Sequence, residues 1–137
     1  MLIYEDPKNP KHSFSVGVTH DGNYLLMGTK ASTDKKGLKH YADISNLHDI
    51  KGKIEFTPII DQWIGDFNYV HNEGTRFFFQ TNYNAPNGRV ISFDIKASEQ
   101  EHWFETLPEN QYMNLQGAKS VRDKMVVAYG INANDKL

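Results

Sequence analysis

The chain has no cysteine. Disulfide staples, thiolate metal sites and cysteine nucleophiles are thereby excluded. It has no apolar run near the roughly 18 residues that a membrane helix needs. The opening Met1-Leu2-Ile3-Tyr4-Glu5-Asp6-Pro7 has no basic n-region and no long apolar stretch, so it does not read as a signal peptide. A cytoplasmic location without a membrane partner is the expectation. An excess of one charge is lacking too. Lys and Arg number 15 against 17 Asp and Glu, a net charge of -2. No global field draws nucleic acid or anionic lipid to such a chain. The short basic pair Lys35-Lys36 beside Gly37 reads as a solvated loop. No segment shows a convincing amphipathic helix. Residues 49–56 and 97–102 have room for a helical turn each.

What is present is strand signal. Eight Phe, seven Tyr and two Trp favour strands, because flat side chains pack well on a pleated surface. Val16 and Val18 precede Asp21-Gly22-Asn23, and Tyr24-Leu25-Leu26-Met27 follow. An Asp-Gly between apolar runs predicts a hairpin, since Gly tolerates the positive φ of tight turns. A polar loop over 30–37 leads to a third strand over 38–44. A second loop over 45–53 leads to a fourth over 54–60, where Pro58 argues for a sheet edge. The order then recurs. Strands are expected over 67–70, 76–81, 89–95 and 103–108, with turns at Asn72-Glu73-Gly74 and Asn84-Ala85-Pro86-Asn87-Gly88. A third round starts at Gly117-Ala118-Lys119-Ser120-Val121, turns at Arg122-Asp123-Lys124, and runs into Met125-Val126-Val127-Ala128-Tyr129-Gly130.

The rounds align. Val18 to Leu26 sits over Val70 to Phe78, and less well over Ser120 to Val126. Asp43-Ile44 closes the third strand of one round, and Asp94-Ile95 closes it in the next. The period of about 50 residues is that of four-stranded propeller blades. The fold expected is all-β: about two and a half four-stranded antiparallel blades of a β-propeller. Residues 2–7 are expected as the outer strand of a preceding blade. Residues 12–60 and 65–108 follow as blades, and 113–137 as an incomplete one. Each blade covers only part of its own apolar surface, so neighbours stack. A β-sandwich with short strands and regular turns is the alternative fold.

From Asp61-Gln62-Trp63-Ile64-Gly65-Asp66 through Phe79-Gln80-Thr81-Asn82, Ala85-Pro86, Arg89 and Ser92-Phe93-Asp94, the sequence resembles the propeller of prolyl oligopeptidases. Tyr4-Glu5-Asp6-Pro7 followed by Val18-Thr19-His20-Asp21-Gly22-Asn23-Tyr24 is similar to the preceding blade there. The likeness covers nearly the whole chain, more weakly after Gln111. It implies a seven-bladed propeller joined to an α/β-hydrolase domain with a Ser-Asp-His triad. It implies cleavage of short peptides after proline, with the propeller covering the site and keeping folded proteins out. The innermost strands, around residues 14–18, 67–70 and 117–121, would line the channel. A departure stands against catalysis in this chain. The hydrolase domain needs a Gly-x-Ser-x-Gly elbow, and none of Ser13, Ser15, Ser32, Ser45, Ser92, Ser98 or Ser120 lies in one.

Other residues invite chemistry. His20 and His71 fall one position apart in the repeat, but zinc sites favour close pairs such as His-x-x-x-His. Exposed turn histidines are the plainer reading, and packing or surface roles suffice for His40 and His102. Asp61 and Asp66 flank Trp63, while Asp43 and Asp94 recur; the recurrence points to accepting backbone N–H groups at a strand end. Phe77-Phe78-Phe79 lacks the interleaved basic residues of a nucleic-acid platform and reads as a strand buried on both faces. Gly17, Gly28 and Gly130 are expected where strands crowd. Gly22 and Gly74 are isolated turn glycines, so no phosphate-cradling loop is present. No catalytic residue, cofactor or metal is expected, and the substrate-binding residues are left unassigned. The partners expected are the hydrolase domain of a longer parent and, through it, short proline-containing peptides. The alternative is a free-standing interaction module whose incomplete ends drive self-association. An intact enzyme on another β fold has only scattered His and Asp in its favour.

Overall fold

In the computed structural model, residues 12–31, 36–45, 54–122 and 124–131 are described. The chain divides into two compact units, Met1–Ile64 and Gly65–Leu137. The first holds one antiparallel sheet in chain order: β1 (His12–Val18), β2 (Tyr24–Ala31), β3 (Gly37–Asp43) and β4 (Thr57–Ile60). The second holds a like sheet of β5 (Phe67–Glu73), β6 (Arg76–Thr81), β7 (Arg89–Asp94) and β8 (Phe104–Leu107). A two-stranded hairpin follows, β9 (Met113–Val121) and β10 (Lys124–Ile131). The all-β expectation holds, and both complete sheets are four-stranded. The strand expected over residues 2–7 lies outside the described residues.

Sheet position explains the composition of each strand. Central β2 buries Leu25, Leu26 and Met27 consecutively, as a strand covered on both faces does. Pro58 lies in β4, at the sheet edge, where its missing N–H costs no ladder bond. That strand starts at Thr57, later than expected, and residues 54–56 have no regular structure. Of the two expected helical turns, Gln100–His102 forms a single 3-10 turn. The other falls largely outside the described residues.

The Asp43 and Asp94 repeats do the same work. Asp43 Oδ1 accepts the Ser45 N–H at 2.9 Å, and Asp94 Oδ1 accepts the Lys96 N–H at 2.9 Å. The following N–H groups, of Ile44 and Ile95, donate to the carbonyls of Asn23 and Thr75. Those two residues immediately precede the second strand of each sheet. A short carboxylate bonding its own backbone two residues on makes a local turn. Here that turn also closes on the neighbouring hairpin.

The hairpins differ more than the sequence suggests. Val18 pairs with Leu25, so the first turn is not a two-residue Asp-Gly turn. The Gly22 N–H donates to the Thr19 carbonyl at 2.9 Å, with Gly22 at φ 76°. Buried Thr19 accepts the Tyr24 N–H and donates to Asp21, which holds the longer loop. In the second sheet Glu73 pairs with Arg76, leaving Gly74-Thr75 as the turn. A bulge at Val70, between Tyr69 and His71, takes up the extra residue. Asn72, expected in a turn, is instead buried in β5.

The second unit's core is aromatic. Phe67, Phe77, Phe79 and Phe93 are all fully buried. Phe79 stacks on Phe93 at 5.6 Å, and Phe93 on Trp103 at 5.8 Å. Phe67 meets Trp103 edge-on at 5.6 Å. Such pairs add roughly 0.5–1.5 kcal/mol each beyond area burial. The Trp103 indole N–H donates to the Ser98 carbonyl at 2.8 Å. Phe78 corrects an expectation. It points to the opposite face of β6, is only half-buried, and lies beside His71 at 6.1 Å. Crowding at the strand glycines also holds only in part. A Cβ at Gly17 would meet nothing within 4 Å, one at Gly28 would meet the flexible Lys39 side chain, and one at Gly130 would collide with Gln116.

Candidate functional site: innermost strands and their clefts

The first strand of each sheet or hairpin, β1, β5 and β9, lies at an edge. These are the strands expected to line a channel. Val16 and Val18 on β1 are 44% and 57% exposed, and Val121 on β9 is 52% exposed. On β5, Asn68 is exposed while Phe67 and Val70 are buried. β9 starts at Met113, four residues before the expected start at Gly117.

The cause of that earlier start is a clamp within the second unit. The Leu115 N–H donates to the Asn87 carbonyl at 2.6 Å, and the Leu115 carbonyl accepts Gln80 Nε2 at 3.0 Å. Asn87 Nδ2 donates to the carbonyls of Asn110 and Gln111 at 2.8 and 3.2 Å. The Asn87 N–H donates to Glu109 Oε2 at 2.6 Å. Two linked turns present Asn87: the Ala85 N–H reaches the Asn82 carbonyl, and the Gly88 N–H reaches that of Ala85. Asn84 and Gly88 take positive φ of 52° and 90°. The string Asn84-Ala85-Pro86-Asn87-Gly88 therefore ties one sheet to the start of the next hairpin. Sequence reading finds its turn but not its reach, because the partners lie more than 20 residues on.

Among the described residues, clefts adjoin β5 and β9. A polar one of about 220 Å³ is lined by Asp66, Asn68, Gln80, Asn82, Asn87 and Asn114, among others. It sits where β5 and β9 begin. A second, of about 200 Å³, has Val70, Phe78 and Met125 as apolar wall and His71, Arg122 and Lys124 as polar rim.

Asp61 belongs to the first unit and Asp66 to the second. Among the described residues no three His, Asp or Glu side chains converge to hold an ion. His102 lies 3.6 Å from Glu101 and 3.9 Å from Glu99 on an exposed turn, where ion pairs contribute little. Ser92 is buried, and its hydroxyl accepts from Arg76 and from Thr106 at 3.0 and 3.1 Å. Arg89 pairs with Glu105 at 3.1 Å across the edge of the sheet.

His40 has a shifted titration. Burial disfavours its charged form and lowers its pKa below the ordinary 6.5; Asp61 opposes this less strongly. Its Nδ1 is buried without a hydrogen-bond partner among the described residues. The unfolded chain therefore binds a proton at higher pH than the folded one. Stability is complete above pH about 6.5 and falls as the pH drops from there towards the lowered folded value. His40→Gln is expected to flatten the fall in urea midpoint between pH 7 and pH 5. An unchanged slope would count against this assignment.

Comparison with known proteins places the geometry. The family model described as "Prolyl oligopeptidase, N-terminal beta-propeller domain" matches residues 1–137. The chain is 26% identical over 138 residues to the dual function macrocyclase-peptidase POPB of Galerina marginata, covering 100% of this chain and 19% of that one. It is 33% identical over 110 residues to prolyl oligopeptidase A of the same organism, covering 79% of this chain and 14% of the relative. The structure of prolyl oligopeptidase B from Galerina marginata bound to a 25mer macrocyclization substrate superposes with a TM-score of 0.85 at 25% identity. That superposition covers 96% of this chain and 18% of the other. The chain thus spans less than a fifth of the proteins it matches. With its four-stranded antiparallel sheets, it belongs to the prolyl oligopeptidase family, as part of the N-terminal β-propeller domain.

Proposed function

We propose that this chain is a non-catalytic propeller segment of a prolyl oligopeptidase-like serine peptidase. The parent would cleave short peptides after proline in an α/β-hydrolase domain, and the propeller would gate access to it. The observation that carries this is the propeller-domain match across residues 1–137, in a sequence with no serine in an elbow context. Edge strands β1 and β9 expose Val16, Val18 and Val121, as a channel wall would. A narrow channel limits peptide size and excludes bulk water from the reaction. The chain alone is expected to show no turnover of a Gly-Pro fluorogenic substrate. Turnover abolished by a serine-directed phosphonate would overturn the non-catalytic reading. Sequencing the gene past Leu137 tests the parent: a Gly-x-Ser-x-Gly domain is expected in the same reading frame.

A second reading rests on β10. Among the described residues its only ladder partner is β9. Val126 and Ile131 on it are 55% and 66% exposed. An apolar strand with an open edge is a template for pairing, so the isolated chain is expected to self-associate. Light scattering should give more than the monomer mass, and Val126→Lys should lower it. A monodisperse monomer at all concentrations would remove this reading.

A further inference from the structure

The polar cleft at the starts of β5 and β9 has a chemistry of its own. Its lining includes five neutral amide side chains, those of Asn68, Gln80, Asn82, Asn87 and Asn114, and one carboxylate, Asp66. Several amides are only half spent. Asn82 Oδ1 accepts the Asp66 N–H at 2.8 Å, which leaves Nδ2 to donate. Gln80 Nε2 donates to the Leu115 carbonyl, which leaves Oε1 to accept. Asn68 Nδ2 lies 3.4 Å from Asp66 Oδ2, which leaves its Oδ1. Among the described residues no side-chain bond occupies Asn114, whose backbone pairs with Gly130.

The lining selects among ligands. No Lys or Arg lines the cleft, which disfavours phosphate and nucleic acid. No aromatic ring floors it, so neither a base nor the apolar face of a sugar has a stacking surface. Side-chain amides offer the same donor and acceptor groups as a peptide bond. An extended main chain alternates N–H and C=O along its length and matches such a set without regard to side chain. The volume of about 220 Å³ admits a short stretch of chain.

We propose that this cleft binds extended peptide main chain through the free amide groups of Asn68, Gln80, Asn82 and Asn114. The proposal rests on the gating reading and gives it a sequence-independent grip beside the innermost strands. Neutral amides would hold a passing peptide weakly, as a channel wall must.

The test uses the full chain and capped Gly-Gly-Pro-Gly-Gly, acetylated and amidated, followed by ¹⁵N–¹H shifts of backbone and side-chain amides. Saturable shifts are expected at residues 66, 68, 80, 82 and 114. The analogue with every glycine nitrogen methylated should bind at least about tenfold more weakly, since its donors are gone. Asn114→Val and Asn68→Val, both compatible with strands, should each weaken binding about threefold to tenfold. Equal binding of the methylated analogue to the unsubstituted chain, or shifts confined to other residues, would overturn the proposal, and this comparison needs no variant to fold. Absence of peptide binding in a chain that also lacks turnover sinks the main-chain grip alone. Phosphonate-sensitive turnover sinks the non-catalytic gating reading instead.

Discussion

Phe79→Ala is expected to lower the unfolding free energy of the second unit by about 3–5 kcal/mol, the range for deleting a buried ring. Phe79 is fully buried. It stacks on Phe93 at 5.6 Å and lies 6.2 Å from Phe77 and 6.5 Å from Tyr69. Its neighbours are rings on paired strands, and rings held in a ladder collapse poorly into a cavity. A domain is stable by only about 5–15 kcal/mol, so the loss is a large share of the total. Trp103 reports it, because Phe93 carries the stack to its indole. Urea unfolding by fluorescence, in a Trp63→Phe background, should show a lower midpoint with little change in slope. A shift no larger than the roughly 0.5 kcal/mol of a surface substitution would mean that the stack is not the core of this unit.

That core was legible because its signal is local. Three consecutive aromatics, Phe77 to Phe79, read as a buried strand, and Phe77 and Phe79 are fully buried. The Asp-Ile strand ends were legible for the same reason: Asp43 and Asp94 act on N–H groups two residues away. Phe78 was misjudged because nothing in its own strand reports what covers the other face. The half-covered cleft it lines is set by β9 and β10, more than 40 residues on. The first hairpin was legible in Asp21-Gly22, with Gly22 at φ 76°, but its closure by Thr19 was not. The amide-lined cleft left no trace in periodicity. Its members come from two strand starts, the end of β6 and the loop after it, and Asn and Asp in such places read as turn formers. Only folding brings Asn68 and Asn114 to one opening. The propeller family was legible through the string from Thr81 to Arg89. The structural job of that string, the Asn87 clamp, was not.

The clamp supplies the second large effect. Gly88→Ala is expected to cost about 2–4 kcal/mol, from a left-handed backbone and a collision together. Gly88 has φ 90°, and a Cβ built there would lie 2.9 Å from Leu115 Cβ. Leu115 cannot withdraw freely. It is buried, its N–H is held by the Asn87 carbonyl, and its carbonyl is held by Gln80. The added methyl therefore forces either the turn or the start of β9 to move. The two causes separate in a double-mutant cycle. Leu115→Gly removes the obstructing Cβ but leaves the Gly88 φ unchanged, so the double variant should lose less than the sum of the single ones by the part due to collision. Strict additivity would assign the whole cost to backbone strain. A Gly88→Ala protein as stable as the parent would show that this loop does not hold β9. The consequence reaches function through Asn114, the neighbour of Leu115 on β9. If the clamp positions the amide cleft, Gly88→Ala should weaken capped-peptide binding in urea-free buffer while the protein is still folded. Binding unchanged in such a folded variant would separate the cleft from the clamp.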